Sequence, residues 1–350
     1  MKSSIVPLSA APAELVEQYL TQPGIGRGYS GEEVRWKYFD EQFSQGRERG
    51  YVWLKLGQVR GFIGMIPAKV AMLDDGERDL IWTCDWSVEN PQNNPGIGIR
   101  LLTKVHKAYD LVAGVGGTED TRSIVPRINT LTIADAAVVL RRPLRLRPFL
   151  ERVEQAAPFA LKLSRSALAN IPLPIRRGPA ATAAATMSAG VSRPLASLFI
   201  QPAKGICSVA YDARHLAWLS RSPAMQVQSC YLASGDGSAG AVFWRRHCHP
   251  TRWRLTLRSG HGGEHLLEQV LARVLEWLRD HEAASLVSIV VSNNDQRTLD
   301  MLKRHAFISG ERHELYITQL EGPVLCEQGF APMSYLDTDL GLAPWAEELK

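Results

Sequence analysis

Two glycines stand where a strand-like segment passes into a helix-like one. Gly96 and Gly98 close the segment that follows Asp85-Trp86-Ser87-Val88 and precedes an amphipathic run. Glycine at a helix start lets the backbone approach a ligand closely, and the free N–H groups and dipole of the helix favour a phosphate there. Gly-x-Gly also occurs in ordinary turns, so the two glycines indicate a phosphate site only together with the sequence around them.

Two carboxylates flank the end of the same strand. Asp85 lies on the strand and Glu89 directly follows it, so either side chain could face a ligand bound at the glycines. A carboxylate in that position can act as a general base, or it can simply cap or solvate the strand end. Glu119 and Asp120, past the next strand, are the next candidates for the same role.

The elements that must position these residues occur twice along the chain. In each half, a helix ending in Trp precedes a hairpin, a further strand, a glycine-rich turn, an amphipathic helix and a buried strand. Strands separated by a helix of this length pair in parallel through a right-handed crossover. The two helix stripes are Gly98, Leu101, Leu102, Val105, Ala108 and Tyr109 in the first half, and Leu267, Val270, Leu271, Val274 and Leu278 in the second.

The first half, from about Tyr29 to Leu144, resembles the GNAT acyltransferase superfamily. A strand ending in Val-x-x-Pro, then Asn93-x-x-Gly96-x-Gly98 and Leu101-Leu102, is similar to its motif A. The resemblance implies a loop that binds the pyrophosphate of acetyl-CoA or another acyl-CoA through backbone N–H groups. Asn93 stands at the superfamily's Arg/Gln position, and Pro95 removes one N–H. The implied cofactor-binding residues are Val88, Asn93, Asn94, Gly96, Ile97, Gly98 and Ile99.

The second half resembles the same superfamily from about Tyr211 to Ile317. Asn294-Asp295, followed by the run from Leu299 to Phe307, looks like its motif B. The glycine-rich segment from Arg258 to Gly263 matches the pyrophosphate loop less closely, so binding of coenzyme A by this half stays open. The resemblance implies a mixed-sheet α/β (α+β) protein with two tandem GNAT-like acyl-CoA N-acyltransferase folds. The tandem layout is also similar to FemABX-type peptidyltransferases and, more loosely, to acyltransferases encoded with bacterial polysaccharide systems.

The composition predicts where the halves meet. We expect a GNAT-like domain with the acyl-CoA site at 1–147, a helix plus Pro/Ala-rich connector at 148–205, and a second GNAT-like domain at 206–350. Ile171 to Pro179 runs into an Ala/Thr/Ser tract, which cannot bury enough apolar surface to offset its ordering entropy. Phe149 to Ile171 has helical spacing, as in a helix that packs on its own domain or lies on a membrane surface.

The bulk composition excludes several classes of protein. The 350 residues, 45% hydrophobic and 22% charged, suit two globular cores, and a net charge of +4 falls short of a nucleic-acid-binding signature. Five scattered cysteines without a CxxC pair do not indicate a disulfide framework or a structural zinc site. His247-Cys248-His249 lacks a second ligand pair, so no metal is expected. No signal peptide and no membrane span is recognisable, and we expect a cytoplasmic protein.

The most favoured function is N-acyl transfer from acetyl-CoA or another acyl-CoA to an amine. This reaction needs the amine deprotonated, the thioester carbonyl polarised and the thiolate protonated. Asp85 or Glu89 is the predicted base, whereas no Tyr falls between Thr121 and Asn129, where the superfamily often supplies the acid. The expected partner is a small-molecule or saccharide amine, such as an amino sugar, an amino acid or a polysaccharide intermediate, and not a nucleic acid. FemABX-like aminoacyl or peptidyl transfer and a non-catalytic GNAT-like scaffold are the alternatives.

Overall fold

The structure is a computed structural model, and it describes most of the chain. The described residues are 3–25, 28–71, 76–128, 131–148, 150, 168–175, 185–200, 208–235 and 237–319. Most of the predicted helix from Phe149 and part of the Pro/Ala-rich connector lie outside these residues. No helix in the described part is long and apolar enough to cross a membrane.

The described chain forms two compact units, and neither is one continuous segment. The first is built from described residues within Met1–Ala136, Pro202–Pro223 and His313–Lys350, and the second from those within Ala137–Gln201 and Ala224–Arg312. This grouping differs from the linear division predicted at residues 147 and 205. The difference arises because strand pairing brings residues from late in the chain into the first unit, and distance along the sequence does not reveal such pairing.

The sheet of the first unit is mixed. Its strands are β1 (Ser3–Pro7), β2 (Gly50–Lys55), β3 (Gln58–Ala71), β4 (Glu77–Val88), β5 (Leu111–Val115), the end of β13 (Ile308–Gln319), and β8 (Ser208–Ala210) beside β3. Among the described residues of this unit, β4 and β5 pair in parallel, and the pairs β1–β2, β2–β3, β3–β4, β3–β8 and β5–β13 are antiparallel. The hairpin and the parallel crossover predicted from the sequence are therefore confirmed. Residues 315–319 of β13 pair with β5, at the position where the sheet would otherwise end.

Helices pack on both faces of this sheet, since Ile63 of β3 lies in a core with Leu101 whereas its neighbour Phe62 contacts Tyr38. The helices of the first unit are α1 (Ala13–Leu20), α2 (Gly31–Phe39), α3 (Glu41–Ser44), α4 (Ile97–Ala108), α5 (Glu119–Ile124) and α7 (Ala213–Ser220). The apolar stripe of α4, with Leu101, Leu102 and Val105, packs on a core that includes Ile81 of β4 and Val112 of β5. This packing fixes the start of α4 above the end of β4.

Two tryptophans join α2 to α7. The rings of Trp36 and Trp218 stack with centroids 4.5 Å apart, and each indole Nε1 donates to the backbone carbonyl of the other residue, at 2.9 and 3.0 Å. Phe43 stacks on the other side of Trp218 at 4.3 Å. The sequence predicted the Trp218 helix as the first helix of the second half, whereas its contacts place it in the first unit.

The second unit repeats the same arrangement. Its strands are the start of β13, the end of β6 (Leu131–Pro143), β7 (Thr186–Ala189), β9 (Met225–Ser234), β10 (Gly237–Arg246), β11 (Arg252–Ser259) and β12 (Leu286–Ser292). Residues 137–143 of β6 pair antiparallel with β12, and β11 and β12 pair in parallel. The helices are α6 (Arg193–Ile200), α8 (Leu267–His281) and α9 (Gln296–Arg304), and the apolar stripe of α8 enters the core.

Candidate functional site

The parallel strands β4 and β5 pair over a very short length. The described residues form only two pairs, Ile81 with Val112 and Trp82 with Ala113. Asp85 then has a φ of 47°, and the register between β4 and β3 shifts nearby, which marks a β-bulge. The bulge turns the end of β4 away from the ladder, so a cleft opens between the two strands.

A cavity lies at this opening between β4 and β5. Its empty volume, with the solvent at its mouth, is about 670 Å³. Apolar and polar side chains from β4, β5, α4, α5 and β13 share its wall, and the backbone of Gly114, Gly116 and Gly117 forms one edge. The lining side chains used below are Asp85, Leu102, His106, Val125, Tyr316 and Thr318.

The start of α4 is shaped by one glycine and one asparagine. Gly96 has a φ of 78°, in the left-handed region, and an added Cβ would meet no atom within 4 Å. The Asn94 side chain donates to the carbonyls of Glu89 and Asn90 at 3.1 and 3.2 Å, and Lys55 Nζ donates to its Oδ1 at 3.2 Å. The first-turn amides of a helix have no carbonyl partner within it, so this end of α4 can accept an anion.

The other residues predicted to bind a cofactor surround this helix start. Gly98 packs against Trp86, because an added Cβ would lie 3.1 Å from the indole ring. Ile97 belongs to the hydrophobic core beneath the loop, and Val88 packs against that core. Asn93 and Ile99 are exposed. The seven predicted residues thus lie at the end of β4, in the loop after it and in the first turn of α4, and Gly98 also has a packing reason to be glycine.

Asp85 reaches the cleft from a buried ionic cluster. Lys37 Nζ lies 2.7 Å from Asp85 Oδ2, and the side chains of both residues are at least 96% buried. Tyr38 donates its hydroxyl to the same oxygen, and Tyr29 donates to Oδ1 at 3.3 Å. Lys37 also donates to the Tyr29 hydroxyl at 2.8 Å. The α2 helix and the segment before it therefore hold the carboxylate in one orientation and balance its charge.

Glu89, the second predicted base, lies elsewhere. Arg60 Nη1 contacts both of its carboxylate oxygens at 2.5 Å, and Glu89 is not among the cleft-lining residues. Glu119 and Asp120 are exposed in the first turn of α5 and do not line the cleft either. Of the four candidate carboxylates, only Asp85 lines the cavity.

Two functional candidates escaped the sequence analysis. Tyr316 of β13 lines the cleft opposite Gly114 and donates its hydroxyl to Glu314 at 3.3 Å, and burial raises its pKa above the ordinary value. His106 of α4 lines the cleft as well, and burial lowers its pKa. Tyr316 gives no local signal because it lies far along the chain. His106 follows Leu102 by four residues, and that spacing on a cleft-facing helix could have revealed it.

The glycine-rich turn of the second unit serves packing. A Cβ at Gly260 would lie 2.8 Å from Leu198 of α6, and one at Gly263 would overlap the Ser238 carbonyl of β10. A Cβ at Gly237 would lie 2.6 Å from the Gly262 carbonyl. The turn is thus pressed against its own unit, unlike the open backbone at Gly96. Among the described residues, no group of three His, Cys, Asp or Glu side chains could hold a metal ion.

Comparison with known proteins identifies the fold. No protein-family model matches the chain, and no curated protein is similar to it in sequence. Among solved structures, a GCN5-related N-acetyltransferase from Anabaena variabilis matches with a TM-score of 0.55 at 11% identity, over 90% of this chain and 72% of its own. N-myristoyltransferase of Saccharomyces cerevisiae with bound myristoyl-CoA matches with a TM-score of 0.55 at 10% identity, over 91% and 83%.

A third solved structure has the same two-part organisation. A tandem GNAT protein from the clavulanic acid biosynthesis pathway matches with a TM-score of 0.54 at 10% identity, over 92% of this chain and 100% of its own. Identities this low establish the fold alone. The chain has the mixed-sheet α/β fold of the GNAT acetyltransferases, in tandem.

Proposed function

We propose that this protein is an N-acyltransferase that moves an acyl group from acyl-CoA to an amine. The observation that carries the proposal is the cleft between β4 and β5 in the first unit, with the open, glycine-led start of α4 at the end of β4. Related folds include proteins named as N-acetyltransferases and one solved with myristoyl-CoA. The acyl donor is therefore acetyl-CoA or another acyl-CoA.

In this proposal, the pyrophosphate of the donor binds at the start of α4. The N–H groups of Gly98 and Ile99 lie in its first turn, where the positive end of the helix dipole favours an anion, whereas the N–H of Ile97 donates to the Asn94 carbonyl at 3.4 Å. The left-handed backbone of Gly96 leaves the approach open, because no atom lies within 4 Å of the place where a Cβ would stand. Asn94 and Lys55 hold the preceding loop in place.

The chemical step follows from the groups that line the cleft. The acceptor ammonium loses a proton and its nitrogen attacks the thioester carbonyl carbon. The nitrogen gives up a second proton as the C–S bond breaks, and the thiolate takes up one proton, so one proton in all is released to solvent. We assign the proton acceptor to Asp85, which Lys37, Tyr29 and Tyr38 orient. We assign the proton donor to Tyr316, whose raised pKa keeps the hydroxyl protonated. The segment after β5, where a tyrosine is expected to supply this proton, contains no tyrosine.

The proposed acceptor is a small molecule or saccharide with a primary amine, such as an amino sugar, an amino acid or a polysaccharide intermediate. A primary amine can donate a hydrogen bond to Asp85, which lines the cavity and whose charge Lys37 balances. We place the donor in the first unit alone, because the glycine-rich turn of the second unit is pressed against Ser238 and Leu198.

Isothermal calorimetry of the full chain with acetyl-CoA, longer acyl-CoAs and free coenzyme A tests this proposal. We expect acyl-CoA to bind with 1:1 stoichiometry, and a panel of amines then to release free thiol. Binding without turnover of any amine would favour the non-catalytic scaffold, since the charge of Asp85 is already balanced by Lys37. No binding of any coenzyme A derivative would contradict the proposal.

A further inference from the structure

A buried histidine lines the cleft and lacks a hydrogen-bond partner. His106 lies in the last turn of α4, and 9% of the residue is exposed. No described residue hydrogen-bonds its ring, yet its ring nitrogens are not among the fully enclosed polar atoms. The ring is therefore accessible, and His106 is one of the residues that line the cavity. A ligand that fills the cavity and excludes water from the ring leaves the imidazole in need of a partner on that ligand.

The cavity that His106 lines has both apolar and polar residues in its wall. Leu102 stands one helical turn before His106, Val112 lies on β5, and Val125 follows α5. The hydroxyl-bearing residues of the wall are Thr83, Thr118, Thr121, Tyr316 and Thr318. Because burial lowers the pKa of His106, the imidazole is neutral near pH 7. A neutral imidazole carries one donor and one acceptor nitrogen, and a hydroxyl group can pair with either of them, because a hydroxyl both donates and accepts.

We propose that this part of the cleft receives the acyl group of the donor, and that His106 selects short acyl chains bearing a hydroxyl over plain hydrocarbon chains. The inference rests on the proposed function and names its donor more closely. Leu102, Val112 and Val125 suit the methylene groups of the chain, and the imidazole pairs with the hydroxyl. A plain hydrocarbon chain would instead cover the imidazole without a partner, which is unfavourable.

Two matched donors test this selection by calorimetry on the full chain. Butyryl-CoA and 3-hydroxybutyryl-CoA, the latter as both stereoisomers, differ only in the hydroxyl. We expect one hydroxylated isomer to bind wild type roughly fivefold to tenfold more tightly than butyryl-CoA, the value of one net hydrogen bond. His106→Leu should reverse this order, and His106→Gln should keep part of it. Lys107→Leu, on the exposed side of the same helix, is the matched control and should change nothing.

Other outcomes would overturn the inference. Equal affinity for both donors, or a hydroxyl preference that survives His106→Leu, would mean that the imidazole does not read the acyl chain. An equal loss of affinity for both donors and for free coenzyme A would mean that His106 contacts the coenzyme A moiety, which all three ligands share. If wild type binds no coenzyme A derivative, the proposed function itself is wrong. If wild type binds both donors equally, only the inference about His106 is wrong. Thermal melting of each variant checks that the fold survives.

Discussion

Asp85 shows that one side chain can serve both the fold and the cleft. Its carboxylate pairs with Lys37 inside the protein, with both side chains at least 96% buried. Removing one member of a buried pair leaves an uncompensated charge and costs about 3–5 kcal/mol of stability. A loss of activity in a single Asp85 variant therefore has two explanations, and a second variant that restores the charge balance is needed to separate them.

Asp85→Asn should lower turnover roughly 100- to 10,000-fold, the usual cost of losing a general base. It should also lower the melting temperature, because Lys37 is left without its partner. The double variant Lys37→Met/Asp85→Asn removes the unpaired charge and should recover stability without recovering turnover. The measurements are kcat with a saturating amine, thermal melting, and calorimetric affinity for acyl-CoA, which should change little in the double variant.

Glu89→Gln is the comparison for this prediction. Its carboxylate is bound by Arg60 and does not line the cleft, so turnover should stay within about threefold of wild type, as expected of a group outside the chemical step. Full turnover in the double Lys37/Asp85 variant would mean that Asp85 only balances Lys37. Glu119 and Asp120 would then be the next bases to replace.

The candidate residues divide according to how local their signals are. Asp85 and the glycines of the loop were recognised because strand end, turn and helix start are adjacent in sequence. Tyr316 was missed because only the pairing of β13 with β5 brings it beside Gly114. The engagement of Asp85 by Lys37 was also invisible, since a bulge in β4 decides where the carboxylate points.

At the scale of elements, the two glycine-rich turns contain glycine for different reasons. The turn before α4 leaves the Gly96 backbone open, whereas the turn before α8 packs Gly260 and Gly263 against Leu198 and Ser238. Glycine permits close approach of either a ligand or another backbone, so composition alone does not distinguish the two. The parallel crossovers and hairpins were correctly predicted, because hydrophobic periodicity and turn residues specify them locally.

Gly96→Asp should weaken acyl-CoA binding at least ~10-fold, because its carboxylate would stand at the helix start that we assign to the pyrophosphate. Gly46→Asp is a matched control for backbone strain. Gly46 has a φ of 77°, against 78° for Gly96, and an added Cβ there also meets nothing within 4 Å. Both variants should lose similar stability in thermal melts, but only Gly96→Asp should lose affinity in calorimetric titrations.

Two further substitutions complete the comparison of the loops. Gly98→Asp should also weaken binding, although part of its effect would come from contact with Trp86. Gly262→Asp, in the second unit, should keep the affinity of wild type for acyl-CoA. An equal loss of affinity from Gly262→Asp would mean that both units bind the donor, and intact binding in both first-unit variants would move the site away from α4.

At the scale of the whole molecule, the sequence shows that the order of elements occurs twice. It does not show that each unit takes one strand segment from the distant part of the chain. The order of elements repeats because each half must build a sheet covered by helices. Which strand completes each sheet depends on pairing between segments far apart in the chain. Residues 313–319 complete the first sheet beside β5, and residues 137–143 lie beside β12 in the second.

This pairing of distant segments changes what cutting the chain should do. The composition of residues 171–205 predicts that proteases cut in this stretch first. Residues 186–200 are the exception, because β7 pairs with β9 and α6 buries Leu195 and Leu198 in the second unit. The N-terminal product would lack residues 313–319, which pair with β5, and Trp218, which exchanges hydrogen bonds with Trp36. We therefore expect the nicked products to elute together in native size-exclusion chromatography and to separate only in denaturant. An isolated fragment 1–147 should be unfolded by circular dichroism, because it lacks Tyr316 of the first unit's core and the strand that pairs with β5. Independent elution of two folded products would instead support the linear division of the chain.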